Sequence, residues 1–216
     1  MRDDDACAER CCKGCFIKVA KDYDINIKFD MDKISIFGCT GSGKSFLAKL
    51  LGEILDLPVI HLDKFVWSAE GVYLDKEVMT RNVLNALGDN WVIDGNQTRE
   101  DELWKLRMNE SDTIILLDFN ANDCKNALVA RHGTSRTDFP SNIPETEEGF
   151  KELLALIPKW NEEKKTKILA LIEKYNATKK LTILYNREQV TAFLNEIKTS
   201  HRKSFGRPDN AVRDDL

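Results

Sequence analysis

The segment from Gly38 to Ser45, with the sequence GCTGSGKS, follows the pattern G-x-x-x-x-G-K-[ST]. Its glycines let the backbone wrap around a polyphosphate, Lys44 can reach the β- and γ-phosphates, and the Ser45 hydroxyl can bind Mg²⁺. A short apolar segment, Lys33–Phe37, precedes the motif, and an amphipathic segment, Phe46–Leu55, follows it. A strand, a glycine-rich turn and a helix in this order aim the positive end of the helix dipole at the same anion. The sequence therefore predicts a nucleoside triphosphate site. The predicted nucleotide-binding residues are Gly38, Cys39, Thr40, Gly41, Ser42, Gly43, Lys44, Ser45 and Phe46.

Short apolar segments alternate with amphipathic ones along the chain. The apolar segments lack a clean period of two, which is typical of strands buried on both faces of a parallel sheet. The alternation predicts an α/β fold, a three-layer αβα sandwich around a five-stranded parallel sheet. The predicted strands are the segment that ends at Phe37, Pro58–Leu62, Trp91–Ile93, Thr113–Leu117 and Leu181–Tyr185.

Polar residues mark the starts of the predicted helices. Asp75 precedes a helix that runs to about Leu87, and Thr98 with Asp101 resembles a capping box in which Asp replaces Glu or Gln. Two further helices are predicted, from Asn120 to about Arg131 and from Glu188 to Lys198.

Two regions interrupt the alternation. The segment Gly133–Glu148 is rich in Gly, Pro, Ser, Thr and Asn, so we expect a loop that serves as a short lid. A long helical stretch, Glu147–Tyr175, follows and is interrupted at Pro158. The predicted organisation is an N-terminal extension over residues 1–30, one domain over residues 31–198, and a polar, disordered tail over residues 199–216.

The composition is that of a soluble globular protein, with 42% hydrophobic and 31% charged residues. The net charge of −4 argues against direct binding to nucleic acid. No apolar run approaches the ~20 residues that span a bilayer. The start of the chain, Met1–Arg10, is acidic and polar rather than a signal peptide. These features predict a cytoplasmic protein without a membrane partner, and they leave the oligomeric state undetermined.

Three acidic residues come directly after predicted strands: Asp63, Asp94 and Asp118. Ligands of open parallel sheets bind at the carboxyl ends of the strands. An acid placed like Asp94 can hold Mg²⁺ together with Ser45, directly or through water. For Asp118 we favour a role at a turn or a helix start.

Asp63 follows the second predicted strand, on the side where a phosphoryl acceptor is expected. A carboxylate there can orient or deprotonate an acceptor hydroxyl, although a hydrogen-bonded turn is the alternative. His61 alternates with apolar neighbours, so we interpret it as a packed strand residue rather than a catalytic one.

Arginine side chains are expected around a γ-phosphate, because its transfer requires positive charge. Arg131 and Arg136 flank the start of the predicted loop, so we expect them to be catalytic residues of the lid. Arg99 and Arg107 are further candidates, as substrate-binding residues.

With these residues placed, the chain resembles the adenylate-kinase-like P-loop kinases, and within them the group named DNA topology modulation proteins. The resemblance covers Lys33 to Lys198. Besides the P-loop it is carried by PVIHLDK at Pro58–Lys64 with Trp67, WVIDGN at Trp91–Asn96, an Arg five residues before Asp112, DTIILLD at Asp112–Asp118, and R-x-D at Arg136–Asp138.

The resemblance implies strand order 2-3-1-4-5, a short lid with Arg131 and Arg136, and the use of ATP with Mg²⁺. It also implies an acceptor side where the Asp94–Gly95 turn lies beside Mg²⁺ and the acceptor. Related kinases often place an adenine-stacking Arg where this chain has Ala127, so the choice between ATP and GTP stays open. The acceptor-side residues are Asp63, Trp67, Asp94, Gly95, Asn96, Arg99 and Arg107.

Four of the six cysteines lie close together near the N-terminus, at Cys7, Cys11, Cys12 and Cys15. Four thiolates can bind Zn²⁺ or an iron–sulfur cluster. Alternatively, Cys7, Cys11 and Cys15 share one helix face and can pack as small apolar residues.

These observations favour a kinase that transfers the γ-phosphate of ATP to a nucleotide or another small molecule. The alternative is a nucleotide-dependent NTPase or switch that acts on a protein or DNA partner. The kinase is favoured because Asp63 and the lid arginines have no obvious use in a simple switch.

Overall fold

The computed structural model of the chain describes residues 31–96, 101–134 and 138–204, with side chains as far as His201. The strands are β1 (Lys33–Gly38), β2 (Val59–His61), β3 (Trp91–Asp94), β4 (Thr113–Leu117) and β5 (Leu181–Leu184). The helices are α1 (Lys44–Leu55), α2 (Lys76–Ala86), α3 (Glu102–Glu110), α4 (Ala121–Arg131), α5 (Glu147–Lys159), α6 (Thr166–Lys174) and α7 (Arg187–Ser204). A 3₁₀ turn, Leu62–Val66, follows β2, and a π-helical segment, Trp160–Lys165, joins α5 to α6.

The five strands form one parallel sheet in the order β2-β3-β1-β4-β5. Helices surround this sheet, so the predicted α/β fold and strand order are confirmed. In the register of the sheet, Asp94 of β3 lies beside Ile36 of β1 on one side and beside His61 of β2 on the other. Because the strands are parallel, the P-loop and the residues that follow β2 and β3 lie at the same edge of the sheet.

Burial on both faces explains why the strands are short and apolar. In β3, Val92 joins the main core cluster, whereas Trp91 and Ile93 join a second cluster with α2 and α3. Successive side chains of a strand point to opposite faces, so the two clusters cover opposite faces of β3, and the main cluster also covers both faces of β1, where Ile36 and Phe37 both belong to it. The core thus holds β1 and β3 from both sides and fixes the edge where they end.

The start of α3 differs from the predicted capping box. Asp101 is itself the N-cap, and its carboxylate accepts a hydrogen bond from the backbone N–H of Trp104 at 3.0 Å. Its carboxylate also accepts a hydrogen bond from the Thr80 hydroxyl, which connects α3 to α2. Thr98 lies outside the described residues.

The long helical stretch is interrupted after Pro158 rather than at it. Pro158 lies inside α5, and the π-helical segment begins two residues later, at Trp160. Proline lacks the N–H that would bond the carbonyl four residues earlier, so the regular ladder is already broken there. Trp160 is buried in the core, which secures the irregular segment.

The C-terminal helix is longer than predicted. α7 continues past Lys198 to Ser204, into the segment that we had predicted as a disordered tail. Ile197 is buried, and the Thr199 hydroxyl donates to the carbonyl of Asn195, so the helix is still anchored where the polar sequence begins. Residues 205–216 lie outside the described residues, and so do residues 1–30. Across residues 31–96, 101–134 and 138–204, no helix is long and apolar enough to cross a bilayer.

Candidate functional site

The P-loop joins the end of β1 to the start of α1. Gly41 has φ +84°, and a Cβ atom at this position would lie 2.1 Å from the carbonyl oxygen of Cys124 in α4. Only glycine can adopt this backbone conformation and also approach α4 so closely. Gly43 is the N-cap of α1 and supplies no side-chain cap, so the first-turn N–H groups of this helix are available to an anion.

Lys44 folds back onto the loop that precedes it. Its ammonium group donates a hydrogen bond to the carbonyl of Cys39 at 3.0 Å. Burial lowers the pKa of Lys44, and the nearby carboxylates of Asp63 and Asp94 oppose that shift. A bound phosphate would supply the negative charge and the acceptors that this half-buried ammonium lacks.

The predicted nucleotide-binding residues divide into two groups. Thr40, Gly41, Gly43, Lys44, Ser45 and Phe46 line a cavity of about 400 Å³. Cys39 is buried, and a hydrogen bond with the Cys124 thiol lowers the pKa of its own thiol. Its side chain therefore packs under the loop, where it supports α4 rather than facing a ligand.

The side chain of Asn96 clasps the end of β1. Its Oδ1 accepts from the N–H of Gly38 at 3.1 Å, and its Nδ2 donates to the carbonyl of Gly38 at 2.6 Å. We predicted a substrate contact for Asn96, but in the structure its side-chain amide is hydrogen-bonded to the first residue of the P-loop. Asn96 thus ties the end of β3 to the first residue of the phosphate-binding motif.

Arg107 is fully buried under the same corner. Its guanidinium donates to the carbonyl of Gly95 at 3.0 Å and to the hydroxyl of Ser35 at 3.2 Å. It also lies 4.0 Å from the centre of the Phe37 ring. Burial lowers the pKa of Arg107 to about 9, against the opposing effect of the Asp94 and Asp101 carboxylates.

The expected substrate contact of Arg107 is therefore not what the structure shows. The guanidinium donates hydrogen bonds to carbonyls of β1 and of the Gly95 turn. These carbonyls are buried, and buried acceptors need a hydrogen-bond donor. Arg107 positions the Asp94–Gly95 turn from below and does not reach the cavity. The sequence could not show this, because an arginine in a helix is usually exposed.

Asp94 and Gly95 both line the cavity. Asp94 is only 4% exposed, and its Oδ1 lies 2.7 Å from Nδ1 of His61. Both side chains line the cavity, so His61 belongs to the site although we interpreted it as a packed strand residue. The signal that could have found it is the parallel register of β2 and β3, which places His61 beside Asp94.

Asp63 lies on the 3₁₀ turn after β2 and also lines the cavity. Asp118 does not line it, and its carboxylate instead pairs with the Lys165 ammonium at 2.6 Å. The side chain of Asn120, rather than Asp118, caps α4 by accepting from the N–H of Asp123. Asp118 thus anchors the π-helical segment to the end of β4.

Within the region predicted as a lid, the described residues 133–134 and 138–145 belong to no helix or strand, and Thr146 caps α5. At its base, His132 stacks on the Phe150 ring at 3.8 Å, and its two nitrogens lie 3.2 Å from carboxylate oxygens of Glu145 and Glu147. Arg131, at the end of α4, lines the cavity, and so does Asp138. Arg99 and Arg136 lie outside the described residues, so their expected roles stay predictions.

We name residues 138–146 the docking loop, because they pack on the segment after β2. The Trp67 ring makes an edge contact with the Phe139 ring, with centroids 6.5 Å apart, and another with Tyr73 at 5.4 Å. Nδ2 of Asn142 donates to the carbonyl of Ala69 at 3.0 Å. Trp67, predicted to bind substrate, is thus placed where it holds this loop.

The residues of the cavity fit Mg²⁺, because Ser45 and Asp94 present hard oxygen ligands to the same space. Within the described ranges, no group of three or more His, Cys, Asp or Glu side chains could hold a metal ion. Cys7, Cys11, Cys12 and Cys15 lie outside those ranges, so the structure gives the zinc hypothesis no support.

Comparisons with known proteins give no family. No protein-family model and no curated protein matches the chain. The fold is similar to a solved shikimate kinase from Bacteroides thetaiotaomicron, with 18% identity and a TM-score of 0.44, over 82% of this chain and 99% of that chain. It is also similar to a gluconokinase from Sinorhizobium meliloti 1021, with 12% identity and a TM-score of 0.44, over 81% of this chain and 93% of that chain. Because these values are low, a functional proposal must rest on the geometry of this chain, and the resemblance to the DNA topology modulation group stays a prediction.

Proposed function

We propose that the chain is a phosphotransferase of the kinase type, which moves the γ-phosphate of ATP to a hydroxyl group of a small molecule. One observation carries this proposal: a single cavity is lined both by the P-loop with Lys44 and by Asp63 and Asp94. A site that only binds a nucleotide needs the P-loop and Lys44. It does not need a second carboxylate, here Asp63, on the acceptor side.

On the donor side, the first-turn N–H groups of α1 and the Lys44 ammonium bind the β- and γ-phosphates. The Lys44 ammonium then donates to a phosphate oxygen instead of to the carbonyl of Cys39. The negative charge of the phosphate offsets the free-energy cost of burying the ammonium. The oxygens of Ser45 and Asp94 would hold Mg²⁺, which would supply charge neutralisation at the phosphates. Arg131 adds positive charge near the transferring group, and Arg136 is proposed for the same role.

On the acceptor side, Asp63 orients the acceptor hydroxyl and takes its proton. The hydroxyl oxygen forms a bond to the γ-phosphorus as the bond from that phosphorus to the β–γ bridging oxygen breaks, and ADP leaves. His61 holds Asp94 through the 2.7 Å contact, so that the carboxylate keeps its place on the cavity floor. Electrostatic positioning of this kind supplies most of the catalysis in phosphoryl transfer.

The test is ATP consumption with Mg²⁺, with and without a panel of nucleosides, nucleoside monophosphates and small metabolites. We expect one class of compound to raise the rate far above hydrolysis by water. Slow hydrolysis that no compound stimulates would contradict the kinase and favour the nucleotide-dependent switch. Repeating the panel with GTP resolves the donor, because Ala127 leaves the base preference open.

Two further parts of the proposal come from the sequence. We propose that the protein works in the cytoplasm on small molecules and does not bind nucleic acid directly, because its net charge is negative. Any effect on DNA would then be indirect.

A further inference from the structure

We infer that Cys39 and Cys124 are a modification site, at which a peroxide joins the two thiols in a disulfide and thereby weakens ATP binding by the P-loop. This inference goes beyond the proposed function, because it concerns binding of the nucleotide and not transfer of the phosphate. We had expected Cys39 to bind the nucleotide and had assigned no role to Cys124.

The two thiols meet where the P-loop packs on α4. Cys39 is the second residue of the P-loop and Cys124 lies in α4, and each is at most 1% exposed. The Cys124 thiol makes a hydrogen bond with the sulfur of Cys39. The backbones are close as well, because a Cβ atom on Gly41 would lie 3.3 Å from Cα of Cys124. A disulfide joins two sulfur atoms at about 2 Å, so thiols in hydrogen-bond contact need only a small shift to form one.

Cys39 is the more easily ionised thiol of the pair. The hydrogen bond from Cys124 lowers the pKa of Cys39, and the Lys44 ammonium acts in the same direction against the effect of burial. The same hydrogen bond raises the pKa of Cys124, and burial adds to that shift. Because the thiolate is the nucleophile, Cys39 reacts with the oxidant first and Cys124 follows.

Hydrogen peroxide is the simplest oxidant of this class, and the reaction takes two steps. The Cys39 thiolate attacks one peroxide oxygen, the O–O bond breaks, and hydroxide leaves and takes up the proton that Cys39 had released. Cys39 is now a sulfenic acid. The sulfur of Cys124 then attacks the sulfur of Cys39, the S–O bond breaks, and the oxygen leaves as water with the proton of Cys124. Two thiols are oxidised to one disulfide, and one peroxide is reduced to two waters.

Access to the thiols depends on the P-loop. Both are buried, so the oxidant reaches them when the loop moves away from α4. Thr40 and Gly41 directly follow Cys39 and line the cavity, which places this opening on the nucleotide side. A triphosphate that binds only the closed loop stabilises the closed state by mass action. ATP with Mg²⁺ should therefore slow the oxidation.

The disulfide changes the shape of the phosphate site. Gly41 already lies so close to the carbonyl of Cys124 that a Cβ atom would be 2.1 Å from its oxygen, so drawing the two sulfur atoms together must displace the loop or α4. A displacement of about 1 Å in a positioned site can cost about 10²-fold in activity. The loop N–H groups and Lys44 then no longer converge on one phosphate.

Mass spectrometry of the full-length protein tests the cross-link. After treatment with hydrogen peroxide and digestion with trypsin without reductant, the peptides Ile34–Lys44 and Met108–Lys125 each carry one of the two cysteines. We expect one species with their combined mass less two hydrogen atoms, formed more slowly with ATP and Mg²⁺ and separated by dithiothreitol. Absence of this species, or Cys39 found as sulfinic acid in its place, would overturn the inference.

ATP titration before and after peroxide treatment tests the consequence. We expect the Kd for ATP of the parent protein to rise about tenfold or more and to recover with dithiothreitol. Cys124→Ser should bind ATP like the parent protein and keep that affinity after treatment. The matched control has alanine at the four N-terminal cysteines and should lose affinity as the parent protein does; these are Cys7, Cys11, Cys12 and Cys15.

Two results of the titration would overturn the inference. One is an equal loss of affinity in Cys124→Ser and the parent protein, and the other is a cross-linked parent protein that binds ATP normally. The peptide mass decides the cross-link even if Cys124→Ser folds poorly. Because both readouts are independent of phosphate transfer, failure of this inference leaves the kinase function standing, and failure of the kinase function leaves the cross-link testable.

Discussion

The P-loop side of the cavity is built mainly from backbone, with the side chains of Lys44 and Ser45, whereas the proposed acceptor side is built from side chains on a turn and a loop. On the P-loop side, Gly41 lies against α4 and Asn96 bonds Gly38, while the buried Arg107 donates to the carbonyl of Ile36 in the preceding strand. On the proposed acceptor side, the contacts between the docking loop and the segment after β2 include the aromatic pair Trp67–Phe139, the hydrogen bond from Asn142 and the fit at Gly71.

These contacts differ in strength as well as in kind. An aromatic pair and a neutral hydrogen bond together contribute about 1–3 kcal/mol. A whole domain is stable by roughly 5–15 kcal/mol. The Trp67–Phe139 and Asn142–Ala69 contacts therefore contribute a small part of the total stability of the fold. Under the proposed function, phosphate binding depends on the backbone of the fold, whereas acceptor choice depends on side chains of a turn and a loop.

The largest effect is expected on the nucleotide side. Lys44→Ala should lower acceptor-dependent kcat by about 10²–10³-fold, because it removes a charge that stabilises the transferring phosphate. Steady-state kinetics with saturating ATP measure this, and Lys125→Ala, an exposed lysine of α4, is the matched control. If both variants keep the activity of the parent protein, the P-loop is not the site of transfer.

The next effect concerns the backbone of the P-loop. Gly41→Ala should destabilise the fold by about 1–3 kcal/mol and abolish ATP binding, because the new methyl group meets the carbonyl of Cys124. Gly133→Ala is the control, because Gly133 also has a positive φ, +73°, but has no described atom within 4 Å of its Cβ position. Chemical unfolding and ATP titration should separate the two variants. Equal losses would mean that backbone strain alone, and not contact with α4, governs the loop.

The smallest effect is expected on the acceptor side. Asn142→Ala removes the hydrogen bond to Ala69 and should raise the KM for the acceptor by about two- to tenfold, with an unchanged KM for ATP. Asn109→Ala, on the exposed face of α3, should change neither value. A parallel rise in both KM values would show that the two sides are not independent, and the comparison above would fail.

The contrast between the P-loop and the docking loop also explains which features the sequence could predict. The strands and the P-loop follow from local patterns, because buried parallel strands are continuously apolar and the glycine motif has fixed spacing. Their observed limits differ from the predicted ones by a residue or two. The clearest failure at an element end is α7, which continues to Ser204 because buried Ile197 still anchors it.

The other differences arise from contacts between distant segments. His61 lines the cavity because β2 and β3 pair in register. Arg107 does not line it, because its guanidinium donates to buried carbonyls of β1, of β3 and of the Gly95 turn. Asp138 reaches the cavity because the docking loop packs on Trp67. None of these pairings has a local signal, so residue type and spacing could not reveal them.

The central claim is transfer of phosphate to an organic hydroxyl that faces Asp63. It is tested most directly by following the label of [γ-³²P]ATP with the protein and with its Asp63→Asn variant, in the presence of the best acceptor of the panel. We predict that the parent protein places the label on the acceptor and that the variant does so about 10²-fold more slowly, because it has lost the general base. Label that appears only as inorganic phosphate, at equal rates in both proteins, would contradict the account.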